Sequence, residues 1–182
     1  KKNTQNEGQA TQGSKPIPGP SQSQIAAAQN MTVKDRQSMI RSMVKRLADK
    51  LQDNPNDVDG WLRLARLYSV LKQSEDSINA YSQAAKIAPN RIDIQLNFAR
   101  ALFPVGTPGT EIPPRLKPVI ENILKLDPNQ PEAMFYGGMI AKAEGNYSLA
   151  EELWMRLLEV MGPNAPARKS IEDQINSLKT QK

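Results

Sequence analysis

From residue 32 onward, apolar residues recur every three or four positions, the spacing that lines one face of a helix. In "TVKDRQSMIRSMVKRLADKL" the apolar stripe is Met39, Ile40, Met43, Val44, Leu47 and Leu51, and Arg41, Lys45, Arg46 and Lys50 are assigned to the polar side. Thr32, with Asp35 three residues on, resembles a capping box, so the helix is predicted to start there and to stop before Pro55. The same period predicts six further helical runs in three pairs: "VDGWLRLARLYSVLK" with "SEDSINAYSQAAKIA", "RIDIQLNFARALF" with "PRLKPVIENILKL", and "PEAMFYGGMIAKAEG" with "SLAEELWMRLLEVM". A last helix is predicted from Ala165 to Lys179. No stretch alternates with the period of a strand, which predicts an all-α chain.

Between these pairs the sequence breaks in one recurring way. Pro55-Asn56, Pro89-Asn90, Pro128-Asn129 and Pro163-Asn164 are its Pro-Asn pairs, at intervals of 34, 39 and 35 residues. A helix–turn–helix closed by proline at about this period is the tetratricopeptide repeat, with Trp-x2-Leu-Gly-x2-Tyr in its first helix and Ala-x3-Phe in its second. The first unit has Trp61, Leu64, Ala65 and Tyr68, then Ser77 and Tyr81; the third has Gly138, Gly145 at the turn, then Ala150 and Trp154. The small residues let paired helices approach, and the aromatics, Trp61 among them, are expected as packed anchors. The second unit lacks the Trp and Tyr, and its turn, within "FPVGTPGTEIPP", carries an insertion expected to form an exposed loop. The predicted fold is thus an array of three helix pairs over residues 57–164, capped by helices within 25–56 and 165–182. Residues 1–24 are Gln-, Gly-, Ser-, Asn- and Pro-rich and are expected to be a flexible linker, with a short helix at "SQSQIAAAQ".

Composition narrows the chemistry. The 182 residues contain neither cysteine nor histidine, which removes disulfides, thiol nucleophiles, His-based acid–base pairs and Cys/His zinc sites. No nucleophile–base pair or Gly-rich phosphate loop is evident, so the chain is not read as an enzyme, and no cofactor or metal is expected. The seven methionines, at helical spacing, are read as core fillers. The net charge of +5 is a mild basic excess, without the dense basic, aromatic-interleaved runs of a nucleic-acid binder. No stretch reaches the roughly 20 apolar residues of a membrane span.

Read whole, the order "GPSQSQIAAAQNM", "DRQSMIRSMVKRLADKL", "NPNDVDGWLRLARLY", "LDPNQPEAM" and "GNYSLAEELWMRLLEVMGPNAPAR" resembles the C-terminal periplasmic domain of the CcmI (CycH) family of cytochrome c maturation chaperones, of the alphaproteobacterial kind. The resemblance covers about residues 19 to 178. It implies a domain facing the bacterial periplasm, anchored to the inner membrane by a preceding segment, with residues 1–24 as tether. The partners it implies are the C-terminal helix of apocytochrome c and other subunits of the haem ligation machinery. The rival reading is a generic tetratricopeptide adaptor or scaffold for a different protein. A carboxylate clamp of the co-chaperone type is disfavoured, because its Lys and Asn positions on the first helix of the first unit hold Leu62 and Arg66, and Asn97 alone matches.

Where a client helix would sit follows from helix geometry. In this architecture the first helix of each pair lines the concave surface, and residues four apart share a face. The candidate groove residues are therefore Leu62 and Arg66, Leu96 and Arg100, and Phe135 and Met139, with Lys142 one turn on. An apolar row flanked by basic heads suits an amphipathic helix carrying acids. Asp59, Asp93 and Glu132 occupy equivalent first-turn positions and are read as acids stabilising helix N-termini.

Overall fold

The computed structural model describes residues 32–104 and 111–179; the linker 1–24, the possible helix near residue 25 and the middle of the enlarged turn lie outside them. Among the described residues there are eight helices and no strand. α1 spans Val33–Asp53, α2 Val58–Val70, α3 Ser74–Ile87, α4 Ile92–Leu102, α5 Leu116–Leu126, α6 Pro131–Ala143, α7 Tyr147–Val160 and α8 Arg168–Lys179. Each helix packs on the next, and α2 with α3 and α6 with α7 form the most extensive pairs.

Local chemistry sets the helix ends. Thr32 Oγ1 accepts from the Asp35 backbone N–H at 3.1 Å, as the capping box predicts. Asp57, Gln130 and Asn146 cap α2, α6 and α7 through backbone N–H groups three residues ahead. The turns inside the first and third pairs are alike. Lys72 and Gly145 take positive φ of 58° and 75°, and the next N–H in each reaches back to Tyr68 and Ala141. α8 starts three residues later than predicted, because Pro163 and Pro166 hold the chain in two successive turns through Ala167.

The proline breaks share a feature that accounts for the irregular second unit. Trp61 Nε1–H donates to the Pro55 carbonyl at 2.8 Å. Gln95 stands at the same place after Pro89, and its amide donates to the Pro89 carbonyl at 3.3 Å and to the Ala85 carbonyl at 3.0 Å. Gln95 is buried and hydrogen-bonded, so it replaces the repeat's Trp in linking helix to break. Met134 occupies this place in the third unit and cannot donate; there Arg156, from α7, donates to the Pro128 carbonyl at 2.6 Å.

One core runs from Val44 in α1 to Ile140 in α6, and a second joins α6, α7 and α8 around Trp154. Two sequence expectations need correction. Trp61 is only half-buried, since its indole edge turns out toward Pro55, whereas Trp154 is fully enclosed. Of the described methionines only Met134 is fully buried; Met43 and Met155 are 37% and 49% exposed.

Tyr136 fixes the end of α4 where the enlarged turn begins. Its hydroxyl donates to the Phe103 carbonyl at 2.9 Å, and the two rings meet edge to face. Burial, with a smaller contribution from Glu132, pushes the Tyr136 phenol up to about 12. Tyr136→Phe leaves that carbonyl without its donor and is expected to lower stability by about 1–2 kcal/mol. The raised pKa means that the neutral phenol is favoured by folding. Its contribution is therefore fully present below the ordinary tyrosine value of about 10 and is lost as pH rises toward about 12. Denaturant titrations from neutral to alkaline pH should show a steeper loss for the parent than for Tyr136→Phe; parallel curves would contradict the assignment.

Candidate peptide-binding site

The first helices α2, α4 and α6 present the predicted residues, but the structure sorts them into three kinds. Leu62 and Leu96 are core residues, 6% and 8% exposed, and form the floor beneath the face rather than anchors on it. That corrects the expectation for both: each is enclosed by its neighbouring helices, which intrahelical spacing does not register. Phe135 and Met139 are half-buried and pack against both cores, so part of each side chain remains accessible.

The basic heads differ as well. Arg100 makes a bidentate pair with Glu132, Nε to Oε1 at 2.8 Å, joining α4 to α6. That contact holds the Arg100 guanidinium above its ordinary pKa. Lys142 donates to Gln174 Oε1 at 3.1 Å and Ser177 Oγ at 2.9 Å, joining α6 to α8. Both expected client contacts are therefore already engaged within the fold, where they tie adjacent helices. Arg66 is exposed and makes no ion pair among the described residues. Its counterpart to Glu132 would be Asp93, but Arg91 occupies that acid, with Nε to Oδ1 at 3.1 Å, and depresses its pKa through that bond.

The cross-helix contacts show that the faces of α4, α6 and α8 are contiguous. Between α6, the end of α7 and the start of α8 lies a cavity of about 360 Å³. Pro131 and Phe135 line one side, Leu157 and Met161 the second, and Ile171 and Ser170 the third. Glu132 stands at its edge, already neutralised by Arg100. Sequence reasoning found Phe135 here but missed the α7 and α8 walls, because no repeat motif marks a cavity built between a complete pair and a cap. Glu132 had been assigned only to the helix N-terminus; it is also a tie between repeats. Among the described residues no cluster of acids able to hold a metal ion occurs.

A profile of the cytochrome c-type biogenesis protein H TPR domain matches residues 21–168. The chain belongs to that family. Over 136 residues it is 28% identical to the cytochrome c-type biogenesis protein CycH of Pseudomonas aeruginosa, covering 75% of this chain and 33% of that protein. It is 43% identical over 93 residues to CycH of Bradyrhizobium diazoefficiens, covering 51% of this chain and 25% of that one. The chain thus spans a third or less of these relatives' length. The crystal structure of MamA superposes with a TM-score of 0.58 at 13% identity, over 83% of this chain and 85% of MamA, a likeness of fold. Among the described residues no helix is long and apolar enough to cross a membrane.

Proposed function

We propose that this domain acts in cytochrome c biogenesis as a non-catalytic chaperone, capturing the C-terminal helix of apocytochrome c for delivery to other subunits of the haem ligation machinery. Its place is the bacterial periplasm, held at the inner membrane by a segment of the full-length protein. Family membership supports the pathway. The observation that carries the client site is the apolar cavity beside Phe135, on the face that α4, α6 and α8 share.

The physical logic is that of a helix in a groove. An apocytochrome helix exposes an apolar face that haem attachment and folding would bury, so the unfolded client offers what the cavity needs. Phe135, Met139 and Met161 receive that face, and Arg66, exposed on α2 and without an ion pair among the described residues, offers a cation to an acidic residue further along the client. Leu62 and Leu96 support the floor, while Arg100 and Lys142 hold the walls in register. Exposed charges contribute modestly and are screened by salt, so the apolar anchors dominate affinity.

Titration with a labelled peptide corresponding to the C-terminal helix of a c-type cytochrome tests this. Phe135→Ala is expected to weaken binding by about 1 kcal/mol or more, and Arg66→Ala to lower its salt sensitivity with little change in affinity at high salt. Folded haem-bound cytochrome should compete poorly. Equal competition by the holoprotein, or no effect of Phe135→Ala, would remove the cavity as the client site.

A further inference from the structure

α1 is half of a helix pair. Counted back from the closing proline, the first and second pairs place Ser77, Tyr81 and Ala84 in α3, and Leu116, Ile120 and Ile123 in α5, at 12, 8 and 5 residues. All six are buried. In α1 these places fall on Met43, Leu47 and Lys50 before Pro55. Met43 is 37% exposed, Leu47 half-buried and Lys50 exposed, because α2 is the helix on which α1 packs and no first helix stands on the other side among the described residues. Arg46 and Lys50, assigned from sequence to the polar side, lie at helical spacing with Met39 and Met43, so cations border this open seat.

We propose that this seat binds an amphipathic helix of a protein partner that presents acidic residues, and that this helix completes the half-pair. Lys50 carries the argument. It stands where the first and second pairs bury Ala84 and Ile123, so an incoming helix must set a carboxylate against it or leave an uncompensated ammonium under cover. α1 carries six cations against three acids, and Lys45 is paired with Asp49 away from the seat. A second copy of α1 would oppose Arg46 and Lys50 with like charges. The preceding residues contain Pro16, Pro18 and Pro20 and, as large apolar side chains, only Ile17, Ile25 and Met31, too few to match Met43 and Leu47 over a full helix. A lipid surface would meet half-buried methionines rather than protruding aromatic or leucine side chains.

The test uses the whole chain and a synthetic Leu/Ala/Glu amphipathic helical peptide, its apolar stripe flanked by glutamates, with a twin carrying lysine for glutamate. Fluorescence anisotropy should show saturable binding of the Glu peptide and none of the Lys twin. Lys50→Glu with Arg46→Glu should weaken it by about tenfold or more. Phe135→Ala should leave the part of the binding that depends on Lys50 and Arg46 unchanged, which separates this seat from the client cavity. An equal loss with Phe135→Ala, binding of the twin, or no binding of the Glu peptide overturns the proposal. So would stronger peptide binding after removal of residues 1–31, self-association that depends on Met43, or charge-dependent binding to phosphatidylglycerol vesicles in place of the peptide. Arg46 and Lys50 are exposed and Phe135 is half-buried, and an unaltered circular dichroism spectrum confirms that both variants retain the fold.

Discussion

Trp154→Ala should lower the stability of the domain by about 3–5 kcal/mol, the range for deleting a packed aromatic. Trp154 has no exposed surface and is the largest fully buried side chain of the fold. Its ring lies over Gly138 of α6, and its Nε1–H donates to the Phe135 carbonyl at 3.2 Å. Removing it opens a void at the junction of α6, α7 and α8 and removes the indole's bond to a carbonyl that keeps only its helical partner. A whole domain is stable by about 5–15 kcal/mol, so the loss is a large fraction of the total. In a repeat array each unit contacts only its neighbours, so α7 and α8 should loosen before α1 to α4. Trp61 then remains as a fluorescent reporter of the N-terminal end. In urea its transition should lag the loss of helix followed by circular dichroism in Trp154→Ala and coincide with it in the parent. A change below about 1 kcal/mol would mean that the site collapses without a cavity.

The Pro-Asn breaks and the 3.6-residue period were enough to place seven helices to within about two residues, because each signal is local: a proline that cannot continue a helix, a cap, an apolar stripe. α8 began late, since the sequence shows Pro166 without showing that two turns will be made around it. The binding face was less legible. Spacing placed Leu62 and Leu96 correctly on their helices, yet whether a residue is floor or surface depends on how the neighbouring helices pack over it. The Arg100–Glu132 pair and the Lys142 contacts to α8 are likewise long-range. Gln95 shows the opposite case. It looked like a lapse in the motif, but it performs the Trp's hydrogen bond to the proline carbonyl by other means. Only the carbonyl's position, fixed by packing, reveals that equivalence.

Gly138→Ala should also destabilise, although replacing glycine by alanine inside a helix ordinarily stabilises by roughly 0.5–1 kcal/mol. A Cβ at Gly138 would lie 2.2 Å from Trp154 Nε1 and 2.5 Å from Cε2. These atoms belong to a rigid, enclosed ring with no rotamer to retreat into, so α6 and α7 must separate. We expect a cost of about 2–3 kcal/mol, the upper part of the overpacking range. The neighbouring Gly137 provides the contrast. A Cβ there meets Leu153 Cδ1 at 3.0 Å, the end of a flexible side chain, so Gly137→Ala should cost less. The double variant decides the cause. With Trp154→Ala the obstructing ring is gone, and adding Gly138→Ala should then cost nothing or restore a few tenths of a kcal/mol through helix propensity and partial filling of the void. Urea denaturation of the four proteins in the cycle therefore measures the contact directly. Additive losses would show that Gly138 is required by its backbone rather than by Trp154, and that the third pair owes its close approach to something other than this glycine under the indole.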